Sequence, residues 1–332
     1  MVEKEVASLF TETIIQKGFH KFTVEAHSAK LLGDFENYIY EGVREGKKVI
    51  LRYTHSSHRT YEQIISEIDW VAYLKKQGIQ VYEHYVSSDG YILETVAAQD
   101  GSYFFICCYE KLPGKRITWQ DCKNTPTYIE KWGEVIGQMH KATKQYVKPN
   151  DVEKRPEWYE EDLLNLDIFQ QHYTSTMLEY SKEVLQKVQA LSKKENNYGL
   201  IHSDLHLGNF NIHDNQLYLF DFDDSSYHFF ASDLAIPLYY TLLSRNLSEK
   251  GDNKQFARFF MSHFLTGYQR HYQLHEKEIQ LIPLFLRLRD VSLYNAMLKK
   301  YDLEHLSEKE AHLLSVVKER IVGKMAIFEL SD

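Results

Sequence analysis

Three side chains within residues 200–224 carry oxygen atoms of the kind that metal-assisted phosphoryl transfer uses. This stretch reads LIHSDLHLGNFNIHDNQLYLFDFDD. Asn209 and Asp221 offer an amide oxygen and a carboxylate, which are hard ligands that suit Mg²⁺. Asp204 offers a second carboxylate that could accept the proton of an attacking hydroxyl group. Because phosphoryl transfer requires little beyond alignment, metal ions and a base, the three residues could carry out that reaction.

A predicted β-hairpin brings these side chains together. Two short alternating runs, 210–213 and 216–220, are joined by an Asp-Asn pair, which is a two-residue turn signal. Pairing about this turn places Asn209 close to Asp221 at the open end of the hairpin. Asp204 lies on the loop just before the first strand, so the three oxygen-bearing side chains are expected to converge.

Two other interpretations of this stretch stay open at this point. Asp and Asn are common in turns for structural reasons alone, so the cluster could be a polar surface turn. His202, Asp204 and His206 stand at i, i+2 and i+4, which on a strand would present three metal ligands on one face, as in a metallohydrolase. The metallohydrolase interpretation leaves Asn209 and Asp221 without a role.

A phosphate-binding cation is predicted in the N-terminal third of the chain. The apolar strand 49–51 leads into Arg52, and a guanidinium binds phosphate bidentately. Glu67 falls on the apolar face of the next predicted helix, and a buried carboxylate needs a cationic partner. We therefore expect Arg52 to pair with Glu67, although Glu67 could instead reach solvent or pair with another residue.

Further nucleotide contacts are predicted from position rather than from a motif. The sequence contains no G-x-G-x-x-G loop and no Walker motif. The loop 33–37, which ends at Asn37, could cover phosphates with backbone N–H groups or could be an ordinary hairpin turn. The backbone of Glu110 and Leu112, in the segment that follows the last predicted strand of this part, could pair with adenine.

The elements that must position these residues fall into two parts. The first part is rich in strands, predicted at 22–26, 38–44, 47–53, 91–97 and 103–109, with helices at 3–17 and 61–77. The second part is mostly helical, with helices predicted at 127–143, 178–192, 233–243, 253–271 and 276–300.

This division predicts an α+β, bilobal fold. We expect a small antiparallel-sheet N-terminal lobe with one main helix, residues 1–109, as the nucleotide-binding lobe. A larger, mostly helical lobe, residues 110–332, would be the catalytic and substrate-binding lobe. A hinge is predicted at about 109–114, and ligands favour the cleft between such lobes.

Composition limits the classes of partner. The 332 residues include 39 Lys and Arg against 47 Asp and Glu, for a net charge of −8, and no long basic run, so nucleic acid is not an expected partner. Three cysteines, an odd and sparse count, fit a reducing cytosol better than a disulfide scaffold. No stretch approaches the ~20 apolar residues of a membrane-spanning helix, and no signal peptide is evident. We expect a cytoplasmic protein, a monomer or homodimer, without a membrane partner.

The candidate residues also match two protein-kinase motifs. The segment 202–204, His-Ser-Asp, is separated from Asn209 by four residues, which is the spacing of the H-R-D catalytic loop with Ser in place of Arg. The segment 221–223, Asp-Phe-Asp, matches the D-F-G motif with Asp in place of Gly. Arg52 takes the place of the lysine in V-A-I-K. The predicted fold is therefore protein-kinase-like.

The wider pattern resembles the aminoglycoside phosphotransferase and choline kinase-like family. Within that group it is similar to type II homoserine kinases and related bacterial small-molecule kinases. The resemblance spans about residues 22–243 and rests on Asn37, Arg52, Glu67, Tyr109, Glu110, Pro113, Gly114, His202, Asp204, His206, Gly208, Asn209, Asp221, Phe222, Asp223, Asp224, Asp233, Leu234 and Ala235.

The resemblance assigns a role to each core residue. It implies that Asp204 is the catalytic base and that Asn209 and Asp221 hold Mg²⁺. It also implies that Arg52, paired with Glu67, faces the α- and β-phosphates of ATP.

Other matched positions are supporting candidates. By the resemblance, His202 and Asp233 would brace the catalytic loop, and His206 is a further possible contributor from the same motif. Leu207 stands where the family commonly has Pro, and we expect no effect on the chemistry. Asp223 could add a metal contact or could be only a polar loop residue.

The resemblance implies an ATP-dependent, Mg²⁺-assisted phosphotransferase whose acceptor is the hydroxyl group of a small molecule. Family members act on aminoglycosides, choline, homoserine, methylthioribose and other small alcohols, and the fold does not choose among them. We expect an aminoglycoside, amino alcohol, homoserine or sugar-like acceptor. The alternatives are a Ser/Thr protein kinase of the same fold and a non-catalytic nucleotide-binding module.

Four residues of the helical part are candidates for acceptor binding. Trp158 and Glu161 lie in a cluster of aromatic and acidic residues that could bind a cationic amine, or that could be a solvated acidic helix start. Arg287 and Arg289 could hold a carboxylate of the acceptor, or could form salt bridges with Asp290 or Glu residues.

Overall fold

The computed structural model describes residues 4–248 and 253–328. The chain folds into two compact units. The first unit runs to Pro113 and also includes Val147–Lys154, and the second comprises Gly114–Tyr146 and the chain from Arg155 onwards. The predicted assignment of nucleotide binding to 1–109 and of catalysis to 110–332 stays a prediction.

The first unit is an antiparallel sheet with one long helix. Its helices are α1 (Lys4–Leu9), α2 (Glu12–Lys21) and α3 (Tyr61–Lys76). Its strands are β1 (Lys30–Gly33), β2 (Tyr38–Arg44), β3 (Lys47–His55), β4 (His84–Tyr85), β5 (Glu94–Ala97) and β6 (Tyr103–Glu110). In the described residues the strand order is β1-β2-β3-β6-β4, and β5 also pairs with β6. The small antiparallel sheet with one main helix is thereby confirmed.

Strand β3 is central to this unit because it is buried on both faces from Val49 to His55. Leu51 and Tyr53 belong to one apolar cluster, which also includes residues of α2. Since side chains alternate across a strand, Arg52 points to the opposite face. There it contacts Glu67 of α3.

Local turn signals account for the well-predicted elements of this unit. The hairpin β2–β3 turns at Glu45 and Gly46, whose φ values of +51° and +75° are those of a type I′ turn. Helix α3 begins after Thr60, which forms a capping box with Gln63. It ends just before Gly78, which has a φ of +86°.

The N-terminal segment differs from the prediction. The expected strand 22–26 does not form, because Thr23 adopts a φ of +53° and a 3₁₀ helix begins at Ala26. Phe22 and Val24 are buried, which produces the strand-like alternation without a strand. The single helix expected at 3–17 is instead divided into α1 and α2, and Thr11 is the N-cap of the second.

The second unit is mostly helical, as predicted. Its helices are α4 (Trp119–Asn124), α5 (Thr127–Thr143), α6 (Leu166–Phe169), α7 (Ser175–Gln189), α8 (Phe230–Asn246), α9 (Asn253–Tyr268), α10 (Glu276–Ile279), α11 (Ile282–Lys300) and α12 (Glu308–Val322). Its strands are β7 (Tyr198–Ile201), β8 (Phe210–His213), β9 (Gln216–Leu219) and β10 (Ser226–Phe229). Two antiparallel pairs form, β7 with β10 and β8 with β9.

The C-terminal helices depart from the prediction in two ways. The helix expected at 276–300 is interrupted between α10 and α11, where Pro283 stands in the first turn of α11. Helix α12 is absent from the predicted set because its buried face is narrow and its sequence is rich in charge. A capping box of Ser307 with Glu310 is the local signal that marks its start.

Helices α5 and α9 approach each other closely through glycines. A Cβ atom at Gly133 would lie 1.9 Å from the carbonyl oxygen of Phe264, and one at Gly267 would lie 1.8 Å from the carbonyl oxygen of Glu130. The backbones therefore touch where larger residues would separate them. This packing fixes α5, which carries a histidine of the candidate site. None of the helices in the described ranges combines the length and apolar composition needed to cross a membrane.

Candidate active site

The β8–β9 hairpin places Asn209 and Asp221 at the same end of the two strands. The strands pair from Phe210 with Leu219 through to the turn, whose residues Asp214 and Asn215 have φ values of +46° and +59°. Beyond the first pair, the amide of Phe220 donates a 3.0 Å hydrogen bond to the carbonyl of Asn209. The predicted hairpin and its register are confirmed.

The segment that follows Pro113 is tied to this hairpin. Lys115 and Ile212 exchange backbone hydrogen bonds of 3.1 and 2.9 Å. Gly114 has a φ of +93°, and a Cβ atom there would lie 2.4 Å from the carbonyl oxygen of Ile212. Glycine is required at this position because both the backbone conformation and the space exclude a side chain.

Asn209 is oriented by Asp204. Its amide nitrogen donates to the carbonyl oxygen of Asp204 at 2.9 Å and to the Oδ2 atom of Asp204 at 3.2 Å. With the nitrogen engaged in this way, the Oδ1 atom of Asn209 is the atom left to meet a ligand.

The Asp204 carboxylate is contacted by a guanidinium and lies close to an imidazole. Its Oδ1 atom accepts a hydrogen bond from Arg289, and its Oδ2 atom lies 3.4 Å from Nε2 of His206. Burial acts to raise the pKa of Asp204, but Arg289 and His206 outweigh it and hold the pKa below its usual value. Asp204 is therefore ionised near neutral pH and able to accept a proton.

His202 links the loop to the hairpin. Its Nε2 atom donates to the carbonyl of Phe220 at 3.2 Å, and its Nδ1 atom accepts from the amide of Asp204 at 3.3 Å. The ring also contacts that of Phe222, with centroids 4.5 Å apart. Burial lowers the pKa of His202, which favours the neutral ring that this pair of hydrogen bonds requires. His202 thus sits in the position that its predicted bracing role needs.

Asp233 anchors the loop from α8. Its Oδ1 atom accepts from the amide of Ser203 at 3.0 Å, and its Oδ2 atom lies 3.2 Å from Nε2 of His140 on α5. The other ring nitrogen of His140 is 2.9 Å from the hydroxyl of Tyr268 on α9. Ser203 has a φ of +67°, an uncommon conformation for a residue with a side chain, and its hydroxyl pairs with that of Ser226 at 2.9 Å. The loop is therefore held by α5, α8, α9 and β10.

The segment after β9 presents Asp221 outward and buries its neighbours. Asp221 is exposed and has a φ of +67°, while Phe222 and Asp223 are buried. Arg155, itself buried, donates to the carbonyls of Asp223 and Ser225. Arg155 thus holds the backbone that follows Asp221, while Asp221 itself is exposed.

The donor set fits a hard divalent cation. Asn209 contributes an amide oxygen whose orientation is set by Asp204, and Asp221 contributes an exposed carboxylate one residue beyond the Phe220–Asn209 hydrogen bond. Oxygen ligands of this kind suit Mg²⁺. Their roles as metal ligands stay a prediction.

The strand needed by the metallohydrolase interpretation is not present. Strand β7 ends at Ile201, so residues 202–206 lie on a loop rather than along one strand face. Both ring nitrogens of His202 already contact the backbone. The three side chains therefore do not form the ligand set that the i, i+2, i+4 spacing suggested.

In the first unit, Arg52 and Glu67 form the expected ion pair. Two parallel hydrogen bonds of 2.8 and 2.7 Å join the guanidinium to the carboxylate, and both residues are buried. The hydroxyl of Tyr82 lies 3.3 Å from the same carboxylate. The predicted pairing is confirmed, whereas the phosphate-binding role of Arg52 stays a prediction.

The other residues predicted to contact the nucleotide lie just before β2 and at or just beyond the end of β6. Asn37 is buried at the end of the loop that precedes β2. Glu110 ends β6, its amide donates to the carbonyl of Glu83 at 3.0 Å, and its carboxylate accepts from Lys75 at 2.9 Å. Leu112 is buried. Adenine recognition by the backbone at 110 and 112 stays a prediction.

The predicted acceptor residues have varied surroundings. Trp158 is buried and stacks on His228 of β10 at 4.9 Å between centroids, and Glu161 is half-buried in the next turn. Arg287 is half-buried on α11. Arg289 contacts Asp204, so it belongs to the surroundings of the candidate base.

The contributors that were missed from the sequence include His140, Arg155 and Tyr240, whose hydroxyl accepts a hydrogen bond from Arg289. The apolar face of α5, on which His140 falls near Ile136, offered a signal, because a buried imidazole needs a polar partner. Tyr240 and Arg155 carry no comparable signal, since their partners are far away in the sequence.

A family model and a related protein each match most of this chain. The model of the family described as the phosphotransferase enzyme family matches residues 29–274. The chain is 32% identical over 315 residues to the amicoumacin kinase of Bacillus subtilis (strain 168), covering 95% of this chain and 93% of that protein.

Solved structures give the same result. An amicoumacin kinase solved in complex with AMP-PNP, Ca²⁺ and Ami has a TM-score of 0.92 and 34% identity, covering 100% of this chain and 98% of the other. A microcompartment-associated aminopropanol kinase has a TM-score of 0.77 at 19% identity, covering 96% and 100%, and shares the fold. The resemblance and the protein-kinase-like fold inferred from the sequence are confirmed. The chain belongs to the phosphotransferase enzyme family.

Proposed function

We propose that this small-molecule kinase transfers the γ-phosphate of ATP, with Mg²⁺, to a hydroxyl group of amicoumacin or of a closely related compound. The observation that carries the choice of acceptor is the likeness to two amicoumacin kinases over nearly the whole length of each chain. That coverage includes the helical second unit, where family members are expected to bind their acceptors. The proposal narrows the wider set of acceptors that the sequence left open.

The chemistry of the proposal centres on Asp204. An ionised carboxylate at this position would accept the proton of the acceptor hydroxyl as its oxygen attacks the γ-phosphorus of ATP, while the bond to the bridging oxygen breaks and ADP leaves. Arg289 and Asn209 contact different oxygens of the carboxylate and so limit its rotation. The reaction needs a base in a fixed orientation, and these two contacts support that role for Asp204.

Asn209 and Asp221 would hold the divalent cation through Oδ1 and a carboxylate oxygen. When bound, Mg²⁺ neutralises charge on the phosphate groups and helps align them. In the first unit, Arg52 would bind phosphate oxygens of ATP, and Glu67 fixes the guanidinium for that task. Arg in place of Lys keeps the charge at all accessible pH values.

A substrate screen tests this proposal. Purified protein with Mg·ATP is incubated with amicoumacin, an aminoglycoside, aminopropanol, choline, homoserine and a generic protein substrate. ADP release is measured, and the product is identified by a mass increase of one phosphoryl group. We expect amicoumacin to have the highest kcat/KM.

The other outcomes decide between the alternatives. Preferred transfer to another small molecule would overturn the choice of acceptor but not the reaction. Transfer to protein alone would favour the Ser/Thr kinase alternative. ATP binding without transfer to any acceptor would favour the non-catalytic module.

A further inference from the structure

Arg289 on α11 joins the candidate base to α8. Its guanidinium donates to Oδ1 of Asp204 and to the hydroxyl of Tyr240, the latter through Nε at 3.1 Å. The guanidinium carbon also lies 4.9 Å from the centre of the Tyr240 ring. Side-chain exposure is only 19% for Arg289 and 16% for Asp204, so this contact is largely shielded from water.

The contact complements the one made by Asn209. Asn209 donates to Oδ2 of Asp204 from within the catalytic loop, and His206 lies near the same oxygen. Arg289 holds the other oxygen from a separate helix. With both oxygens engaged, the plane of the carboxylate is set by two elements rather than by the rotamer of Asp204 alone.

We propose that Arg289 is a positioning residue for phosphoryl transfer, that it fixes the orientation of the Asp204 carboxylate, and that Tyr240 in turn fixes Arg289. The inference rests on the proposed role of Asp204 as the base. Arg289 acts through Asp204 rather than by binding the acceptor. Because the attacking oxygen and the base must be aligned, a small misplacement of the carboxylate slows the reaction.

The neighbouring residues explain how α8 and α11 stay in register. Tyr239 and Asp290, adjacent in sequence to Tyr240 and Arg289, form a buried hydrogen bond of 2.7 Å. Arg320 of α12 donates to the same carboxylate at 2.9 Å. These contacts hold α8 and α11 together directly beside the Tyr240–Arg289 contact. The packing of the two helices therefore sets the position of Arg289.

Steady-state kinetics distinguish positioning from acceptor binding. In the Arg289→Gln variant we expect kcat to fall by about 10- to 100-fold, as for other supporting residues of catalytic groups, while the KM values for acceptor and ATP change little. Arg289→Lys keeps the charge and should recover part of kcat. Tyr240→Phe keeps the ring but loses the hydroxyl, and should lower kcat less than Arg289→Gln does.

The control is Arg258→Gln, which makes the same substitution at an exposed site on α9 and should leave both parameters unchanged. An unchanged kcat in Arg289→Gln would overturn the proposal. So would a raised acceptor KM at unchanged kcat, because that result assigns Arg289 to acceptor binding. Melting temperatures of all variants identify any loss of folding. If Arg289→Gln does not fold, the kcat of Tyr240→Phe provides the test instead.

A stability cycle separates this inference from the proposed function. Melting temperatures are measured for Asp204→Asn, Arg289→Gln, the double variant and the wild type, without any acceptor. We expect the two effects to be non-additive, because the residues are in direct contact. Additive effects would overturn the inference even if the protein is a kinase, and failure of every acceptor in the screen would overturn the proposed function even if the cycle shows coupling.

Discussion

Replacement of Arg320 by Met should destabilise the second unit in a pH-dependent way. Arg320 on α12 donates to Oδ1 of Asp290 through Nε at 2.9 Å and contacts the hydroxyl of Tyr239 at 3.0 Å. Asp290 is only 1% exposed and Arg320 only 8% exposed. The substitution keeps most of the apolar stem but leaves a buried carboxylate without its cation.

The expected magnitude follows from this burial. Removal of one partner from a buried ion pair costs about 3–5 kcal/mol. An unfolding entropy of about 2.1 cal/mol/K per residue over 332 residues amounts to roughly 0.7 kcal/mol/K. For cooperative unfolding of the whole chain, the melting temperature should therefore fall by about 4–7 °C.

The pH dependence gives a second test of the same contact. Burial raises the pKa of Asp290 even in the wild type, and loss of Arg320 removes the main charge that opposes this rise. An acid whose pKa is higher in the folded state than in the unfolded state stabilises the fold at low pH and loses that contribution as pH rises through the folded pKa. The difference in melting temperature between Arg320→Met and wild type should therefore be smaller at pH 5 than at pH 8.

Thermal unfolding followed by circular dichroism at both pH values measures these effects. The control is Lys318→Met on the exposed face of the same helix, which should change stability by less than about 0.5 kcal/mol. The double variant Asp290→Asn with Arg320→Met should be more stable than Arg320→Met at pH 8, because it removes the unpaired charge. A loss below about 1 °C, or an equal loss at both pH values, would refute the reasoning about the buried pair.

Three further predictions concern the remaining parts of the account. Glu67→Gln removes the charge that fixes Arg52 and should raise the KM for ATP more than the KM for the acceptor, as measured by steady-state kinetics. Gly133→Ala places a Cβ atom against the carbonyl of Phe264 and should cost about 1–3 kcal/mol, which urea unfolding can measure against Gly33→Ala, where a Cβ atom meets no neighbour within 4 Å. Asp221→Asn should raise the Mg²⁺ concentration needed for half-maximal activity, and an unchanged Mg²⁺ dependence would contradict its proposed role as a ligand.

The parts of the site that were predictable are those that local chemistry decides. The Asp214-Asn215 pair adopts the positive φ values of a tight turn, and this fixes the hairpin register on which the placement of Asn209 depends. The Arg52–Glu67 pair was predictable because a carboxylate on a buried helix face must find a cation, and the adjacent strand offered one.

The parts that were not predictable depend on how distant helices pack. Arg289 reaches Asp204 across 85 residues of sequence, and His140 reaches Asp233 across 93. Neither contact has a turn or a periodicity that determines it, since each depends on the register between helices. The wrongly predicted strand at 22–26 failed for a local reason rather than because of distant packing. A single residue with positive φ, Thr23, converts its alternating pattern into a turn.

The most direct test of the central claim is the turnover of the Asp204→Asn variant with Mg·ATP and the best acceptor from the screen. General-base catalysis contributes about 10²- to 10⁴-fold, so kcat should fall by that factor while ATP affinity, measured by calorimetry, stays close to that of the wild type. Asp214→Asn, the same substitution in the exposed hairpin turn, should keep wild-type turnover. Wild-type kcat in Asp204→Asn would contradict the assignment of Asp204 as the base.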